Sequence, residues 1–206
     1  MSASAAGEVI PEPEDPRLVA ANLSVGARLF ASAMAFVFMA FVFAFFYLKA
    51  TNSNGYWRPA AVSPSQGWGI VILVCVLGAT AMFELVRRGM AGGGAPSVAF
   101  LGIALGLAFA VIVAQIIQYL TIGFGDSGGG YASVFYGWTS LFLAFWLGAV
   151  YSVETMLATL LRSAREAGGA ADTAAMLRPS ADATMVYLYS CAAIALVAWV
   201  LLYLIK

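Results

Sequence analysis

Five apolar stretches, at about 25–48, 68–86, 97–122, 132–161 and 183–205, decide what this chain can fold into. Each is close to the roughly 20 residues that a helix needs to cross a hydrocarbon core of roughly 30 Å. The runs are unbroken, whereas the strands of a membrane barrel alternate apolar and polar residues over about ten positions. Inside lipid only helices and closed barrels satisfy every backbone polar group. The expected fold is therefore all-α: a polytopic membrane protein with one five-transmembrane-helix bundle over 25–206. Charged residues make up only 10% of the chain, against about a quarter in soluble domains.

Residues 1–24 precede the first stretch. Glu8, Glu12, Glu14 and Asp15 stand there among Pro11, Pro13 and Pro16. Such a segment has too little apolar surface to build a core, and it reads as a disordered acidic tail. Its length and polarity also argue against a cleaved secretory signal. The linkers carry breakers: Asn52, Asn54, Gly55, Pro59 and Pro64, then Gly92, Gly93 and Gly94, then glycines around Asp126, then a long loop over 162–181 with Pro179. Arg17, Arg28, Arg87, Arg88, Arg162, Arg165 and Arg178 flank one side of the spans, against Lys49, Arg58 and Lys206 on the other. Positive charge favours the cytoplasmic face, which places the N-terminus in the cytoplasm and the C-terminus outside. Tyr47, Trp57, Trp68, Tyr131, Trp138 and Tyr203 lie near the predicted boundaries, where amphipathic rings anchor at the interface.

The spans are poor in chemistry. The chain has no histidine, and the middles of the stretches hold no Asp, Glu, Lys or Arg. Proton and ion pathways within membranes normally keep ionisable groups at depth. Cys75 and Cys191 fall in different spans without metal-ligand spacing, so they read as packing residues, and neither metal nor haem is expected on this chain. No convergent acid and base appear, so no catalytic residue is expected. Glu84 and Glu154 sit near span ends, where an arginine partner or water suffices. No basic run points to nucleic acid. Discontinuous transporter helices are not indicated either, since no proline lies within the predicted spans. The most polar group at depth is Gln115, Gln118 and Tyr119. Neutral amides there can bond across helices; contact with a lipid head group or a transport path are the other readings.

Several segments resemble subunit III of the haem–copper oxidases, the cytochrome c oxidase type, in its shorter five-helix form. Leu29-Phe30 with Phe45-Phe46-Tyr47-Leu48-Lys49 is similar to the family's opening helix. Trp57-Arg58-Pro59 stands where the family commonly has Trp-Pro-Pro, and Arg87-Arg88-Gly89 resembles a basic helix end. Gln115-Ile116-Ile117-Gln118-Tyr119 resembles Gln-x-x-Glu-Tyr, and Tyr131 to Tyr136, with Thr139 and Gly148, resembles the entry to the fourth helix. Asp182 and Tyr187 fit the last helix. Met34, Gln118, Phe142, Phe145, Tyr189 and Ala192 stand where the family keeps buried polar or ionisable residues.

The resemblance implies a non-catalytic, lipid-holding subunit of a respiratory terminal oxidase in the bacterial plasma membrane. It would pack against oxidase subunit I and other respiratory subunits, which would carry the haem and copper. Phospholipids would lie in a cleft between helices, with Arg28, Arg58, Arg87 and Arg88 as candidate head-group contacts. The alternatives are an accessory subunit of another respiratory assembly, such as a nitric oxide reductase or a supercomplex, an assembly factor, or an independent small transporter.

Overall fold

A computed structural model describes residues 15–52, 55–59, 62–92, 97–163 and 170–205. It contains α1 (Pro16–Ala50), α2 (Gln66–Ala91), α3 (Val98–Thr121), α4 (Gly130–Ser163) and α5 (Ala170–Trp199). A five-residue π-helical turn, Val200–Leu204, continues α5. All five helices are long and apolar enough to cross a membrane. The chain is a multi-pass helical membrane protein.

Four helices close a ring in which α2 packs on α3, α3 on α4, α4 on α5 and α5 on α2. Trp146 of α4 fixes one of these contacts, because its buried indole N–H donates to the Ala108 carbonyl of α3 at 2.9 Å. Helix α1 lies outside the ring against α4 and α5. Its buried side chains are Met34, Phe38 and Phe45, all in its second half. Phe36 and Phe43 point outward, as lipid-facing side chains do.

Two predicted boundaries need correction. Residues 16–24 belong to α1, not to a disordered tail: the Asp15 side chain accepts from the Arg17 N–H at 2.9 Å, and the Asp15 carbonyl accepts from Val19 at 3.1 Å. Polar residues continue a helix once it is capped and nucleated. Residues 1–14 lie outside the described residues. The loop expected at 162–181 is also largely helical, since α5 begins at Ala170 and carries Pro179 inside it. Proline removes one backbone donor there, and the surrounding alanines, leucine and methionine favour helix strongly enough to carry on.

The aromatic anchors are corrected as well. Trp57, Tyr131, Trp138 and Tyr203 are buried in the core, and only Tyr47 is strongly exposed. Trp57 meets Phe45 edge-on at 5.0 Å and Tyr131 edge-on at 5.8 Å. The loop that carries Trp57 also closes the start of α4. The Tyr56 and Trp57 carbonyls accept the N–H groups of Gly130 at 3.3 Å and Tyr131 at 2.8 Å. The first N–H groups of any helix lack partners within it, and here the α1–α2 loop supplies two. Gly129 makes the approach possible, with φ +107° and a Tyr56 carbonyl where a Cβ would stand.

Candidate functional site

A groove of about 870 Å³ lies between the first half of α1, the second half of α4 and the first half of α5. Small residues open it. Gly26 and Ala27 of α1 face Gly148 and Ser152 of α4 and Ala183 of α5 across it. At its inner end Phe30 meets Tyr187 at 5.4 Å and Phe145 at 5.9 Å, and the Tyr187 hydroxyl donates to the Phe145 carbonyl. Helix α1 is packed onto the bundle below that point and diverges above it.

The groove wall on α4 is a stripe of hydroxyls. Ser152 donates to the Gly148 carbonyl at 2.9 Å, Thr155 to Ser152 at 3.0 Å and Thr159 to Thr155 at 2.8 Å. Each proton is spent within the helix, so the oxygens face the groove as acceptors. Among the described residues no charged side chain lines it. Such a wall suits an acyl chain with a neutral, donor-bearing group at the mouth.

None of the four candidate arginines lines this groove. Arg28 is exposed on α1, on a face turned from the groove residues Asn22, Gly26 and Phe30. Arg58 is at the opposite end of the bundle, where its guanidinium lies 4.4 Å over the Tyr131 ring and its Nε donates to the Val62 carbonyl at 3.0 Å. Arg87 and Arg88 hold Glu84, each through an Nε at 2.7 Å. Arg87 also reaches Asp182 of α5 at 3.0 Å. Two cations thus meet two carboxylates, and the cluster joins α2 to α5. Glu154 is exposed and makes no ion pair among the described residues.

The end of the bundle opposite the groove is tied by neutral hydrogen bonds. Gln115 donates to the Gln118 side-chain oxygen at 3.1 Å, a contact within α3. Gln118 donates across to the Tyr203 hydroxyl at 2.6 Å. Tyr119 donates to Thr139 of α4 at 2.7 Å. The π-helical turn enters this cluster through its carbonyls: Tyr131 donates to Leu202, and Gln66 of α2 donates to Tyr203 at 3.2 Å. Sequence reasoning missed Gln66 and Tyr203 as members. A tyrosine near a chain end reads as an interfacial anchor, and only the partner on α3 shows otherwise. The hydroxyl stripe was missed too, although Gly148, Ser152, Thr155 and Thr159 repeat at helical spacing.

The positions where the resemblance expects buried polar groups are filled mostly by apolar packing. Met34 is buried, Phe142 stacks on Trp146 at 5.9 Å, and Phe145 meets Phe38 at 5.9 Å. Gln118 keeps a polar bond, Ala192 is buried and Tyr189 is half exposed. The chain's residues do not fit a haem or copper centre. It has no histidine, its free cysteines stand on different helices, and no three His, Cys, Asp or Glu side chains come together among the described residues. No protein-family model matches the chain, and no curated protein matches it significantly.

Proposed function

We propose that this chain is a non-catalytic, lipid-holding subunit of a respiratory haem–copper oxidase, of the subunit III type, packed beside a subunit that carries the haem and copper. The observation that carries the lipid part is the groove between three membrane helices, lined among the described residues by small residues and hydroxyl oxygens and by no charged side chain. The oxidase part rests on the resemblance. Its separate segments also meet in space: Arg58 stacks on Tyr131, Trp57 meets Tyr131, and Tyr119 stacks on Tyr136 at 5.4 Å. In this reading the N-terminus is cytoplasmic, the groove opens in the cytoplasmic leaflet, and the protein sits in the bacterial plasma membrane.

The arginines are not head-group clamps for the groove in this proposal. Arg87 and Arg88 are neutralised by carboxylates, and Arg58 serves the opposite end. Purification in mild detergent tests the partner. Haem and copper that co-purify at a fixed ratio to this chain support the oxidase subunit, and a haem-free homo-oligomer overturns it.

A substitution at Gly26 tests the lipid. A Cβ there would meet nothing within 4 Å, and Gly26 lines the groove, so a larger side chain at this position extends into it. Gly26→Leu is expected to lower the number of phospholipids retained per chain in native mass spectra, with no loss of thermal stability, because leucine outranks glycine in a helix by about 1 kcal/mol. An unchanged lipid count sinks the groove as the lipid site.

A further inference from the structure

A second, much smaller cavity of about 30 Å³ lies inside the ring, between α2, α3, α4 and the end of α5. Two tryptophans line it, Trp138 from α4 and Trp199 from α5. The indole nitrogens of both are buried and have no hydrogen-bond partner, and Trp138 is fully buried. An indole N–H can only donate, and a buried donor left unpaired is costly. Both donors belong to residues that line one cavity, and the described residues supply neither with an acceptor.

The place is not a random packing fault. The cavity forms where α5 passes into its π-helical turn, with Trp199, Leu202 and Tyr203 on its wall. Single π turns recur at functional sites and widen the helix locally. Gln115 also lines the cavity. Its amide nitrogen is committed to Gln118 at 3.1 Å, which leaves its oxygen as an acceptor.

We propose that this cavity binds an ordered internal water, which accepts from the Trp138 and Trp199 indoles and donates to the Gln115 oxygen. Its volume suits one water molecule or two. Larger acceptors such as a quinone ring do not fit. A halide would also accept from two N–H groups. However, no cation among the described residues lines the cavity, and an unpaired charge in such surroundings is strongly disfavoured. The water would join α4 and α5 to the Gln115–Gln118–Tyr203 chain, so that all four ring helices share one polar cluster. The inference stands whether or not the chain belongs to an oxidase.

Two measurements on the full chain in lipid test it. A lipidic-phase crystal structure that resolves waters should show a peak within hydrogen-bond distance of both indole nitrogens. An empty cavity, or an anomalous signal at that position after a bromide soak, overturns the proposal. Replacing Trp138 or Trp199 with the benzothienyl isostere removes the N–H and keeps the shape. If water is bound, each replacement takes away one of its partners and lowers Tm. If the cavity is dry, each replacement removes an orphaned donor and raises Tm, which sinks the site.

Discussion

Gly129→Ala is expected to destabilise the protein by about 2–5 kcal/mol. Backbone strain adds to one of two alternative costs. An L side chain at φ +107° is strained, at about 1–2 kcal/mol. Its Cβ would occupy the position of the Tyr56 carbonyl oxygen, and overpacking costs about 1–3 kcal/mol. If the loop withdraws instead, the Gly130 and Tyr131 N–H groups lose their acceptors, at about 1–3 kcal/mol for a buried donor. Denaturant titration in mixed micelles measures the sum. Gly125→Ala is the control, because its Cβ would meet only Ser127 Oγ at 3.9 Å, and it is expected to fall within about 0.5 kcal/mol of the parent. Equal stability of the two variants would show that the loop does not close α4.

Gly69→Ala is expected to cost about 1–5 kcal/mol, although alanine is the better helix former. A Cβ at Gly69 would lie 2.7 to 2.8 Å from three ring carbons of Tyr203. That ring cannot swing away freely, because Gln118 holds its hydroxyl, Gln66 holds its carbonyl and Phe135 packs on it at 6.1 Å. Moving it strains the packing by about 1–3 kcal/mol and leaves the buried Gln118 amide short of an acceptor, at a further 1–3 kcal/mol or so. The gain in helix propensity offsets about 1 kcal/mol. Gly102→Ala and Gly106→Ala receive the same gain with nothing within 4 Å of the new methyl, so both are expected to be neutral or stabilising. A thermal melt of the three variants reads the contrast, and a Gly69 variant as stable as the other two contradicts the Tyr203 contact.

The membrane helices were legible because burial in lipid demands about 20 apolar residues, and that demand is written openly in the composition. Their ends were not. Hydropathy marks where lipid stops, while a helix stops where its caps and hydrogen bonds do. Asp15 and the alanine-rich segment from Ala170 therefore lengthened α1 and α5 beyond their apolar runs. In the polar cluster, Gln118 was visible as an amide at depth. Tyr203 was not, because only the packing of α5 on α2 and the hydrogen bond to Gln118 of α3 turn it inward. The groove was least legible of all. It exists because α1 diverges from α4 and α5, and a helix crossing leaves little trace in either partner's sequence.

The closed ring with α1 outside it makes the molecule mechanically lopsided along the membrane normal. At one end Trp57, Tyr131, Gln118 and Tyr203 brace the helices through directional bonds. At the other, α1 faces its neighbours across open volume. Lateral pressure in the two leaflets therefore meets unequal resistance. A squeeze on the braced side must break hydrogen bonds, whereas a squeeze on the groove side only swings the first turns of α1 inward, and whatever fills the groove sets how far they travel.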